Sequence, residues 1–114
     1  MTPVIAAYSA LGVAIVLEVI GTTMLQKSEQ FTKLLPTLTM AACYLGAFYF
    51  LSIVLKTMPV GLAYAIWSGL GIVLISIVGY TLFGQKLDMP ALIGISFIIM
   101  GVLIVNLFSK SIGH

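Results

Sequence analysis

The chain has 114 residues, of which 7% are charged and 61% hydrophobic, with a mean hydropathy of +1.24. A soluble domain carries about 25% charged residues, so this composition excludes an ordinary soluble domain and a disordered chain, and a single cysteine excludes a disulfide scaffold. The net charge of +2 comes from five scattered lysines that form no basic patch, so no nucleic-acid partner is expected.

A membrane-crossing helix needs roughly 20 consecutive apolar residues to traverse a hydrocarbon layer about 30 Å thick. The charged positions are Glu18, Lys27, Glu29, Lys33, Lys56, Lys86, Asp88 and Lys110. They leave charge-free runs at 34–55, 57–85 and 89–109, of 22, 29 and 21 residues. A further apolar segment, 4–25, is interrupted by Glu18 alone. Pro3, Pro36, Pro59 and Pro90 each stand near the start of an apolar segment, where the first helical turn has no internal partner for the missing N–H. The pattern predicts four helices near 4–25, 35–55, 59–83 and 90–109. The expected fold is an all-α membrane protein with one transmembrane domain over 1–114, adjacent helices antiparallel and both ends on one side. The N-terminus lacks the basic region of a secretory signal, and the first apolar segment is longer than such signals use.

The first span holds Glu18, the one charged side chain inside any span. A charge at mid-helix costs about 2.5–3.5 kcal/mol on insertion scales, and such residues mark functional sites by default. No Lys, Arg or His lies in another span; the one histidine is His114. Desolvation penalises the ionised form of such an acid. A mobile cation, a proton or an organic cation, is therefore its expected partner; the alternative is a permanently protonated acid that only packs. Ala14, Gly21 and Thr22 share its helix face at i−4, i+3 and i+4. They leave room for a ligand or permit close helix contact, and Thr22 offers a hydroxyl. Tyr8 lies near the mouth of this span, as a lining or an interfacial residue.

The second span places Tyr44 deep in the membrane, next to Cys43, which reads as a small buried hydrophobe. The third sets Tyr64, Trp67 and Ser68 on one face at i, i+3 and i+4. An aromatic face attracts a cation by about 0.5–2 kcal/mol, and the same residues also suit plain core packing. Trp67 lies deeper than an interfacial belt residue, whereas Tyr80 suits the belt. Gly69 and Gly71 follow in mid-helix, where they serve a bend or close packing. In the fourth span Gly94 and Gly101, seven residues apart, share a face suited to helix association. Apart from Phe97 and Phe108 it carries no aromatic or charged group, so it reads as an assembly element.

Four helices hardly enclose and alternately seal a cavity for an organic cation, so a dimer is expected. The loops carry Lys27, Lys33 and Lys86 on one side against Lys56 and Lys110 on the other. So weak a bias fits either one fixed orientation or insertion both ways. An antiparallel pair would form an inverted repeat with its site near the midplane.

Three stretches then become recognisable: Leu17-Glu18-Val19-Ile20-Gly21-Thr22-Thr23, the run from Gly61 through Tyr64, Trp67, Ser68, Gly69 and Gly71 to Ser76, and Phe83-Gly84-Gln85-Lys86-Leu87-Asp88. With them the chain resembles the small multidrug resistance family over nearly its whole length. That resemblance implies a proton-coupled exporter of lipophilic or aromatic cations in the bacterial inner membrane, working as an antiparallel homodimer of dual topology. It implies that Glu18 is shared by proton and substrate. It further implies that Tyr8, Tyr44, Tyr64 and Trp67 line the site, that Gly69 and Gly71 form a kink, and that the Gly94–Gly101 segment is the dimerisation face. Guanidinium-exporting relatives carry Trp where this chain has Gly21 and Thr where it has Ser68; the resemblance is therefore to the quaternary-ammonium and multidrug branch. Heteromeric pairing stays open. No cofactor and no metal are expected, and no residue set for nucleophilic catalysis is visible. A channel or an accessory subunit is the rival reading.

Overall fold

The computed structural model describes residues 2–110; His114 lies outside them. Four helices run α1 Pro3–Lys27, α2 Leu34–Val54, α3 Val60–Phe83 and α4 Met89–Phe108. All four are long and apolar enough to cross a membrane. The prolines act as expected: Pro3 and Pro90 occupy the first turns of α1 and α4, Pro59 is the residue before α3, and Pro36 lies in the first turn of α2. Two helix starts are capped by side chains. Thr2 accepts from the Ile5 N–H at 3.2 Å and Asp88 from the Ala91 N–H at 3.0 Å. Asp88, counted above only as a loop charge, therefore sets where α4 begins.

Helix ends are equally specific. α3 stops at Gly84, whose φ of +66° is the left-handed conformation glycine adopts without strain. The Gln85 N–H then reaches back to the Gly79 carbonyl at 3.0 Å. α1 stops at Ser28, a fully buried side chain whose hydroxyl donates to the Leu25 carbonyl at 2.7 Å and accepts from the Phe31 N–H at 3.1 Å. Beyond it Glu29, Gln30 and Phe31 all have positive φ (48°, 63° and 68°), a left-handed turn made without glycine. An exposed Lys33–Glu29 ion pair at 3.5 Å adds little.

The helices occupy a slab of 44 × 35 × 20 Å. α1 packs mainly on α2, also on α3, and α4 lies against α3. The core is not spread evenly across the membrane. Ala7, Leu11 and Ile15 of α1, Leu51 and Val54 of α2, Met58 of the second loop, and Ala63 and Ile66 of α3 form one buried cluster. These lie in the half nearer Thr2 and the α2–α3 loop; Val19 of the same cluster lies just beyond Glu18, where Thr23 and Ser28 are also buried. The buried residues of α3 end at Gly71, so its second half is more loosely covered. Most large side chains of α4 are exposed, as a lipid-facing or partner-facing helix requires.

Candidate functional site

Glu18 sits half-buried in the middle of α1, with fully buried Ala14 one turn before it. Thr22, one turn later, donates its hydroxyl to Glu18 Oε1 at 3.1 Å. The same Thr22 oxygen lies 2.7 Å from the Tyr44 hydroxyl of α2. Threonine has one hydroxyl hydrogen. With that hydrogen on Glu18, Tyr44 must donate to Thr22. The order is thus Tyr44 to Thr22 to Glu18, a relay across α1 and α2 that ends on the carboxylate.

Gly21 makes this relay possible. A methyl group there would lie 2.7 and 2.8 Å from two ring carbons of Tyr44. The glycine is a notch that admits the tyrosine ring, so the space read from the sequence as room for a ligand is occupied by Tyr44. Cys43 flanks the same notch and is half-buried, not fully buried as expected.

α3 supplies the other wall. A methyl placed on Gly71 would be 3.6 Å from Trp67 Cδ1 and 4.0 Å from Glu18 Oε2. Trp67 and the carboxylate therefore flank one point on the α3 backbone. Tyr64 stacks on Trp67 with ring centroids 6.2 Å apart and planes 21° from parallel. Trp67 also leans on the core, while Tyr64 is 49% exposed and Ser68 is exposed. Among the described residues no cation pairs with Glu18, and Oε2 makes no hydrogen bond. A carboxylate with one oxygen held, one oxygen free and an aromatic pair alongside can attract a cation by charge and by ring contact.

The other predicted residues divide. Gly69 is the seat of α4: a methyl there would overlap Val102 Cγ2, and α3 runs unbroken through Gly69 and Gly71. Gly94 and Gly101 have no atom within 4 Å of an added methyl, so their face of α4 is open. Tyr8 is not brought to Glu18. It lies ten residues away, about 15 Å along the helix, and its hydroxyl donates to Asn106 Oδ1 of α4 at 2.7 Å. Asn106 was missed by the sequence reading. Its signal was present: an amide inside an otherwise apolar span has to find a partner.

Comparison with known proteins adds family to geometry. The family model described as "Small Multidrug Resistance protein" matches residues 6–98. The chain is 52% identical over 107 residues to the multidrug transporter EmrE of Escherichia coli (strain K12), covering 94% of this chain and 97% of that one. It is 52% identical over 102 residues to the quaternary ammonium compound-resistance protein QacE of Escherichia coli, covering 90% and 93%. To QacG of Staphylococcus sp. (strain ST94), also named a quaternary ammonium compound-resistance protein, it is 40% identical over 104 residues, covering 91% and 97%.

Proposed function

The chain belongs to the small multidrug resistance family, and from that premise we propose that it exchanges protons for lipophilic, quaternary-ammonium-type cations at Glu18. It is a multi-pass membrane protein and a multidrug, quaternary-ammonium resistance transporter. The bacterial inner membrane is the setting in which a proton gradient would drive it. The observation that carries the reading is the half-free carboxylate. Glu18 is the one acid within the four helices, one oxygen is bound by Thr22, and the other faces Trp67 across Gly71.

The cycle follows from the relay. With Glu18 ionised, Tyr44 and Thr22 point their hydroxyl hydrogens toward it and steady the charge. An organic cation placed against Oε2 neutralises the carboxylate while Trp67 and Tyr64 cover its apolar body. When a proton arrives instead, the carboxyl becomes a donor. The Thr22 hydroxyl is then free to turn, and the site loses its attraction for the cation. One acid serves both ligands, so occupancy by one expels the other. That exclusion is the coupling.

A single chain leaves the site one-sided, since Tyr64 and Ser68 of its wall are exposed, and the Gly94–Gly101 face of α4 is open to a second copy. The proposed assembly is an antiparallel homodimer in which two Glu18 carboxyls share a midplane cavity. The near-balanced lysines permit both insertion directions. The preference proposed for bulky apolar cations over guanidinium rests on the resemblance, since guanidinium-exporting relatives carry Trp and Thr where this chain has Gly21 and Ser68. In proteoliposomes with an imposed pH gradient, the wild type should concentrate tetraphenylphosphonium. Glu18→Gln should abolish that uptake and weaken binding at least tenfold; a Glu18→Gln variant that still concentrates the cation contradicts the proposal. Passive conductance without proton exchange would favour a channel instead.

A further inference from the structure

Ten residues before Glu18, Tyr8 makes a bond outside the Tyr44–Thr22–Glu18 relay. Its hydroxyl donates to Asn106 Oδ1 at 2.7 Å, and Asn106 Nδ2 donates to the Val102 carbonyl at 2.9 Å. The second bond orients the amide so that its oxygen faces α1. Val102, one turn earlier, is the side chain seated on Gly69 of α3. One face of α4 thus touches α3 through Val102 and α1 through Asn106. α1 and α4 share little other contact.

The place of the bond matters as much as its chemistry. Tyr8 packs on the buried cluster of Leu11, Val54, Met58 and Ala63, in the more closely packed membrane half. The opposite half, where α3 buries nothing past Gly71, is the looser one. Tyr8 and Asn106 lie at the rim of the closely packed half, where the beginning of α1 meets the end of α4.

We infer that Asn106 is a positioning residue of the transport cycle, whose bond to Tyr8 bolts α4 to α1, keeps the closely packed side sealed and breaks each time that side opens. This rests on the transporter reading. Interhelical side-chain bonds in membranes are weak enough to break repeatedly; each changes an equilibrium or a rate by roughly 3- to 30-fold. In an antiparallel pair every resting state holds one sealed protomer. Removing the bolt raises both resting states equally. The barrier between them then falls, while cation affinity, set some 15 Å away at Glu18, stays the same.

The test compares wild type, Asn106→Leu, Tyr8→Phe and the double variant in lipid bilayers. Two readouts are taken with tetraphenylphosphonium: its Kd by calorimetry, and the rate of inward–outward exchange by NMR. Asn106→Leu should exchange 3- to 30-fold faster with Kd within twofold of wild type. Tyr8→Phe should speed exchange similarly, and the double variant no further, because both substitutions break one bond. Asn106→Ala reads the same step should leucine disturb packing. Unchanged or slower exchange, multiplying effects, or a Kd that moves with the rate would overturn the bolt. Failure of the wild type to release protons on binding would instead overturn the transporter reading.

Discussion

Thr22 carries two hydrogen bonds on one oxygen, and the account of Glu18 depends on both. Thr22→Val keeps the shape and removes the hydroxyl. Tyr44 then loses its acceptor and the carboxylate its donor, a cost of about 1–3 kcal/mol for groups left unsatisfied. The Kd for tetraphenylphosphonium should rise by roughly 5- to 150-fold, since 1.4 kcal/mol is a factor of ten. Tyr44→Phe should have a smaller effect, and the double variant should be no worse than Thr22→Val alone. Calorimetry on the three proteins checks this; independent, additive losses would show that the relay does not act as a unit. Glu18 itself was legible from sequence, because one acid among apolar spans needs no structure to stand out. Its partner was half legible. The i+4 spacing put Thr22 beside it, but the use of Gly21 as a notch for Tyr44 depends on how α1 and α2 pack, which spacing within one helix does not encode.

At the scale of helices, two glycines two residues apart do different work. Gly69 receives Val102, so Gly69→Ala overfills the α3–α4 contact and should cost about 1–3 kcal/mol. Thermal unfolding in detergent should record the loss, and Val102→Ala in the same chain should restore most of it; no rescue would mean that the contact is not the cause. Gly71→Ala meets only ordinary contact distances, so it should fold normally and change cation affinity instead. The helix ends were legible to within two residues from charge spacing and proline positions, but the cap at Asp88 was not read. The first loop was not. Its turn uses three residues of positive φ with no glycine or asparagine among them, stabilised by buried Ser28 and not by local preference. The Tyr8–Asn106 bond was equally hidden, since it joins residues 98 apart in the sequence.

For the molecule as a whole, the distribution of burial is the informative quantity. Burial is denser on one side of Glu18 than on the other, and the fourth helix presents an open face at Gly94 and Gly101. In lipid that face gains nothing from hydrophobicity; close van der Waals packing against another helix is what small residues offer. A Cβ at Gly101 meets no atom of the chain within 4 Å, so Gly101→Leu starts in open space. It should therefore leave each chain folded while weakening self-association at least tenfold, measured by the dilution dependence of dimer in mild detergent. A dimer of undiminished strength would place the interface elsewhere. Competition at the acid is the claim on which transport depends, and it is tested most directly by titrating purified wild-type protein with tetraphenylphosphonium in buffers of differing ionisation enthalpy. The proposed exchange predicts that cation binding releases protons to the buffer and that Glu18→Gln abolishes the release; binding with no proton released at any pH where the cation binds would contradict it.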